Sequence, residues 1–184
     1  YAIQPPNFRG IAPIPKLMVE IGQSVKAGEP IFFDKSNPDI LYVAPVSGEV
    51  VEVNRGAKRA ITEVVILADK EQQHKKFTAP DLGNATREDL VKFLISSGAW
   101  PLIIQRPFDI VPDINEVPDN IFISTFSTAP LAADRGFLLQ GKEEDFHKGL
   151  EVLAALTSGK VYLGLSANGK EAPAKVFTDA PAEK

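Results

Sequence analysis

Between Met18 and Leu67 apolar and polar residues alternate in short bursts: Val19 and Ile21, Ile31 and Phe33, Leu41 and Val43, then Val46, Val50 and Val53, then Val64 and Ile66. A period of two, broken by glycines, predicts short β-strands with one face turned inward. In "VEIGQSVKAGEPIF" Gly22 and Gly28 flank Val25, which places tight turns on residues that tolerate positive φ and lets Val25 and Ile31 point into a core. "APVSGEVVEVNRG" repeats the arrangement, with Gly48 and Gly56 at the two ends of one strand. The rhythm changes after residue 78. In "TREDLVKFLISSGAW" Thr86 and Asp89 have capping-box spacing, and Leu90, Phe93 and Leu94 fall on one face of a helix that ends near Gly98. "NIFISTF", from Asn120 to Phe126, predicts a buried strand. "EEDFHKGLEVLAALTSGK" predicts a helix with Phe146, Leu150, Leu153 and Leu156 inward, and "KVYLGLS" a second strand. Strand, helix, strand in that order predicts a right-handed crossover and a small parallel sheet.

Two domains follow from this change of period, one over residues 1–72 and one over 78–184. The first resembles the barrel-sandwich hybrid of lipoyl and biotinyl domains; the second is a small α/β domain, so the fold class is mixed α+β. Asp34-Lys35 stands where a carrier domain presents its modified lysine. The sequence predicts a longer turn here, through Ser36, Asn37, Pro38 and Asp39, because Pro38 holds Asn37 extended. Lys35 is therefore expected on one shoulder of the loop, solvated and unmodified. A biotin site would also flank its lysine with methionines, and Met18 is the only methionine.

Composition narrows the chemistry. The chain is 44% hydrophobic and 24% charged, ordinary values for a packed globular protein. It has no cysteine, which excludes disulfides, thiolate nucleophiles and iron–sulfur ligation by these residues. Two histidines, His74 and His147, stand apart from metal-ligand spacing, and His147 is read as a surface or boundary residue. The net charge of -4, with signs interspersed, argues against a nucleic-acid partner. No apolar run reaches the ~18 residues of a membrane-spanning helix. The loop after Phe126, "STAPLAADRGF", lacks a G-x-G-x-x-G fingerprint and any phosphate loop. Against the negative total, "NRGAKR" gathers Arg55, Lys58 and Arg59. Such a loop is either a solubilising tip or a docking surface for an acidic partner or anionic headgroups.

"VEIGQSVKAGEPIFFDKSNPDILYVAPVSGEVVEVNRGAKRAI", "SSGAW", "QRPF" and "STAPLAAD", in this order, resemble the A-subunit family of the bacterial Na+-translocating NADH:quinone reductase. The resemblance implies a peripheral subunit on the cytoplasmic face of the inner membrane, and an N-terminal portion of a longer protein. The family is similar in turn to the C-subunit of the Rnf complex and to the NADH-binding flavoprotein of respiratory complex I. Those relatives hold FMN and NADH with a glycine-rich loop, and Ser96 to Pro101 is the matching region here. With Gly98 alone, and Ala99 and Trp100 filling the space, the resemblance implies a lost cofactor site. NADH, FMN or FAD, iron and quinone are then expected in the complex and none of them in this chain, whose partners are the other subunits. Trp100, Arg106 and Phe108 are the candidate residues of a quinone environment, and Trp100 is expected to pack with Phe108 and Phe93. Two other classes stay open: a carrier domain modified at Lys35, and a hybrid-barrel adaptor with helical hairpins between its half-motifs, which only the loop at 34–39 would join.

Overall fold

The structure is a computed structural model that describes residues 1–166 and 173–183. The chain forms two compact units that exchange segments: residues 1–80 with 91–113, and residues 81–90 with 114–184. This division differs from the expected one at 72/78, because residues 91–113 belong with the N-terminal strands.

In the first unit, β1 (Ala2–Ile3), β7 (Ile61–Ala68), β6 (Gly48–Arg55) and β3 (Ser24–Val25) form one antiparallel sheet in that order. A second sheet comprises β2 (Lys16–Leu17), β4 (Pro30–Asp34) and β5 (Asn37–Val43). Val25, Ile31, Val50, Val64 and Ile66 are buried, as their alternation predicts. The expected parity fails in β4 and β5. Phe32, Ile40 and Tyr42 are buried, in place of Phe33 and Leu41, and the ladder slips between Pro30 and Phe32 and again between Phe33 and Asp34. Each irregularity exchanges the faces of the strand, which alternation alone cannot foretell. Phe32 and Tyr42 stack with centroids 4.9 Å apart, and Phe8 meets both edge-on. Ile21 is exposed in the turn before β3.

The hairpin at Lys35 corrects the sequence reading. Asp34 pairs with Asn37, so Lys35 and Ser36 alone make the turn and the strand resumes at once. Pro38 and Asp39 lie within β5, in the irregularity that follows the turn. A proline is tolerated there because a bulged stretch has no ladder bond for it to break.

The second unit is built on a parallel pair, β8 (Asn120–Ser124) and β9 (Lys160–Gly164), in register from Asn120 opposite Lys160 to Ser124 opposite Gly164. Two short helices, α2 (Arg135–Leu138) and α4 (Lys175–Thr178), and the longer α3 (Glu143–Ala154) accompany it. Leu150 of α3 packs with Val161, Leu163 and Ala180, and Ile121, Ile123, Phe146 and Leu153 close around them. β8 is half-buried rather than buried. Ile121 and Ile123 lean into the core while Phe122 stays exposed and stacks on Tyr162 at 5.0 Å. Helix α1 (Arg87–Ser96) gives residues up to Leu90 to this unit and those from Val91 to the first. Its buried face is Leu90, Val91 and Ile95; Phe93 and Leu94 are only half-buried. The capping box is present: the Asp89 N–H donates to Thr86 Oγ1 at 3.2 Å and the Thr86 N–H to Asp89 Oδ2 at 3.1 Å. Among the described residues no helix is long and apolar enough to cross a membrane.

Candidate functional site

The region matched to a flavin cradle, Ser96 to Pro101, is the C-terminal end of α1. Gly98 takes φ +75, its N–H donates to the Ile95 carbonyl at 3.2 Å, and the Ala99 N–H donates to the Leu94 carbonyl at 2.9 Å. This is a Schellman motif, in which the N–H groups are spent on the helix's own last carbonyls. Gly98 is needed for that left-handed turn and for space, since a Cβ here would meet the Val43 side chain at 2.5 Å. Trp100 is buried, with only 3% of its surface exposed, and its indole N–H donates to the Pro112 carbonyl at 3.0 Å. Arg106 and Phe108 are exposed, and Arg106 pairs with Asp109 at 2.9 Å. Trp100 thus belongs to a core while the other two candidates face solvent. Phe108, 68% exposed, gives Trp100 no enclosed wall.

Arg55, Lys58 and Arg59 come together as the sequence indicates, all exposed at the β6–β7 tip. The turn itself was not legible. Ala60 N–H donates to the Ala57 carbonyl at 3.1 Å, and both residues between them have positive φ, Lys58 at 54° and Arg59 at 65°. These are the features of a type I′ turn, which favours Asn-Gly. Arg55 Nη1 donates to the Arg59 carbonyl at 3.2 Å and ties the loop to the strand.

Two concave places have no counterpart in the sequence reading. One, of about 100 Å3, lies in the first unit against Arg9, Asp34, Asn37, Tyr42 and Ile110. Asp34 is buried beside it, and its carboxylate accepts from the Ala12 N–H at 2.9 Å, the Ser36 N–H at 3.0 Å and the Ser36 hydroxyl at 2.8 Å. Burial pushes the Asp34 carboxyl up, but the donors from Ser36 and Ala12 outweigh it and hold the group below its ordinary range. The Tyr42 phenol is pushed up to about 12, by burial first and by the Asp34 charge second. The other, about 530 Å3, lies at the carboxyl ends of β8 and β9 between Thr125, Phe126, Asp134, Phe137, Ser166 and Lys175. Two of its polar groups are occupied locally: Thr125 Oγ1 donates to the Gly164 carbonyl, and Asp134 accepts from Gly136 and Phe137 N–H groups as the cap of α2. His147 is half-buried, and its Nε2 is enclosed with no hydrogen-bond partner among the described residues. No cluster of three or more histidine or acidic side chains suited to a metal ion occurs among the described residues.

Comparison with known proteins agrees with the two-part architecture. The family model for the NqrA N-terminal barrel-sandwich hybrid domain matches residues 1–69, and that for the NqrA second alpha/beta domain matches residues 85–180. A relative from Shewanella amazonensis, the A-subunit of its Na(+)-translocating NADH-quinone reductase, is 41% identical over 162 residues, covering 87% of this chain and 36% of its own length. The corresponding protein of Vibrio parahaemolyticus is 41% identical over 81% of this chain and 34% of its own, and that of a Marinomonas species 38% over 94% and 38%. The chain thus spans little more than a third of the curated relatives it matches. With both domain models matching in order and relatives near 40% identity across most of its length, the chain belongs to the NqrA family.

Proposed function

We propose that this chain is the barrel and α/β portion of the NqrA component of an Na(+)-translocating NADH-quinone reductase, and that it serves assembly while holding no redox cofactor. It stands peripherally on the cytoplasmic face of the inner membrane, docks through Arg55, Lys58 and Arg59, and leaves NADH, flavin, iron and quinone chemistry to the other subunits. The supporting observation is the end of α1. A flavin or dinucleotide phosphate needs several converging N–H groups, and those of Gly98 and Ala99 are already bonded to Ile95 and Leu94. Trp100 fills the adjoining space as a core side chain, which also favours packing over a quinone wall. Calorimetry of the purified chain with NADH and with FMN tests this reading. No binding heat is expected, and micromolar affinity for either would refute it. A soluble quinone should leave Trp100 fluorescence without saturable quenching.

The hairpin at Lys35 favours a second reading, that of a carrier domain. Lys35 is exposed at a two-residue turn, the presentation that a modifying ligase needs. Intact mass of the protein from its native cell decides: the assembly reading expects the sequence mass, and a lipoyl or biotinyl increment at Lys35 would establish the carrier.

A further inference from the structure

The turn that carries the three cations has a left-handed backbone, and the residues that stand on it are the wrong ones for its geometry. Lys58 and Arg59 are consecutive non-glycine residues with left-handed φ, at the two positions where Asn and Gly relieve the clash between Cβ and the carbonyl. After an irregularity between Asn54 and Arg55 the pairing resumes at the tip, with Arg55 opposite Ile61 and the Gly56 N–H donating to the Ala60 carbonyl at 2.8 Å. The Arg55 guanidinium is itself held by the Arg59 carbonyl. None of Arg55, Lys58 and Arg59 has an ion-pair partner among the described residues. A solubilising tip needs charge alone and gains nothing from a strained frame. Strain held by surrounding structure marks positions where geometry is used.

We infer that the β6–β7 tip is a pre-set cationic clamp for a folded, carboxylate-rich protein surface, and that lipid headgroups are not its ligand. The inference rests on the docking role proposed above and names its partner class. A fluid bilayer rearranges its headgroups around any three charges, so a fixed spacing would add little there. Carboxylates on a folded partner are fixed, and a pre-organised set of donors meets them without further loss of freedom. Two of the three cations are arginines, whose planar fork matches a carboxylate in two parallel hydrogen bonds. The tip also lacks what a membrane contact uses. Its other residues are Gly56, Ala57 and Ala60, with no aromatic or large aliphatic side chain to enter the interface, and polybasic lipid anchors usually gather about four to eight cations.

The test uses the full-length NqrA protein with two surfaces: reductase membranes stripped of NqrA, and protein-free vesicles of mixed phosphatidylcholine and phosphatidylglycerol. Three forms are compared at low and high salt. These are the unaltered protein, the triple variant Arg55→Ala, Lys58→Ala, Arg59→Ala, and a variant with two glycines inserted between Lys58 and Arg59, which keeps every charge and loosens the frame. The unaltered protein should bind stripped membranes and not the vesicles. Both altered forms should lose about tenfold or more in affinity for the membranes, with circular dichroism showing that they fold. Equal binding of the unaltered protein to vesicles would overturn the protein-surface assignment while leaving docking intact. Full affinity in the glycine-inserted form would overturn the pre-set clamp. Full affinity in the triple variant would overturn the docking role itself.

Discussion

Asp34 should be among the most consequential polar residues of the barrel, and its contribution should fade in acid. Asp34→Ala removes one acceptor that serves three donors, the Ala12 N–H, the Ser36 N–H and the Ser36 hydroxyl. Bonds to an ionised group contribute about 1.5–3 kcal/mol each, but a donor that regains water recovers most of that. Ser36 is exposed and recovers it; Ala12 is half-buried and does not. About 2 kcal/mol for the Ala12 donor and about 0.5 kcal/mol for each Ser36 donor gives a loss of roughly 3 kcal/mol. Asp34→Asn keeps one acceptor oxygen and should lose about half as much.

The sign of the pH dependence follows from the direction of the shift. The folded carboxyl lies below its ordinary value, so its stabilisation is complete above the ordinary carboxylate range and is lost as pH falls through the folded value. Urea unfolding followed by Trp100 fluorescence measures this, because Trp100 is the only tryptophan and belongs to the same unit. A loss under ~1 kcal/mol at neutral pH would refute the reasoning, being no more than an average substitution. So would a difference between the two proteins that does not shrink in acid.

Tyr42→Phe should act at the other end of the scale. The folded phenol is pushed up to about 12, so its contribution is complete below the ordinary phenol range and is lost as pH rises through about 12; the variant should lack that alkaline loss in a pH series of melting curves. Gly98→Ala should cost about 2–3 kcal/mol in urea unfolding, from the left-handed φ of +75 and the Val43 contact at 2.5 Å together. Arg87 donates from its three guanidinium nitrogens to the carbonyls of Leu156, Ile114 and Glu116, so Arg87→Lys should lose about 1–2 kcal/mol by circular dichroism, a lysine being unable to span all three. Replacing Lys58 by Asn and Arg59 by Gly should raise the free energy of unfolding by about 1–2 kcal/mol, part of the cost of two left-handed residues, because Asn keeps its Cβ and glycine loses backbone entropy.

What could be read from the sequence was local. Val25, Ile31, Val50, Val64 and Ile66 announce their strands because a half-buried strand has a period of two and nothing else in the chain imitates it. Thr86 and Asp89 announce the start of α1 because both partners of the capping box lie within one turn. The parity of Phe32, Ile40 and Tyr42 was hidden by two slips in one ladder, which depend on the partner strand. The tight turn at Lys35 was hidden in the same way: Pro38 suggested a long loop, but on an edge strand, in an irregular stretch, a proline can follow a two-residue turn. The burial of Asp34 depends on Ala12, twenty-two residues away, and carries no sequence signal. The role of Gly98 was legible. A glycine after the last apolar residue of a helix is the ordinary sign of a C-terminal cap, and that sign is stronger here than any hint of a phosphate cradle.

The two hairpin tips of the barrel divide their tasks by where their side chains point. At the β4–β5 tip Asp34 turns inward and uses its charge on the turn's own N–H and hydroxyl, so the lysine beside it inherits a fixed base without being asked to bind anything itself. At the β6–β7 tip no carboxylate is spent on closing the turn, although Arg55 donates to the Arg59 carbonyl. The backbone of the turn takes a form that disfavours Lys58 and Arg59 by about 1–2 kcal/mol each, and the three cations have no ion-pair partner among the described residues. Selection for stability alone would replace Lys58 and Arg59, since Asn-Gly makes the same turn at lower cost. Their presence places the demand outside the fold, on whatever those cations meet. The same argument leaves Gly98 inside it, because there the left-handed residue is the one the geometry prefers and its N–H is already spent.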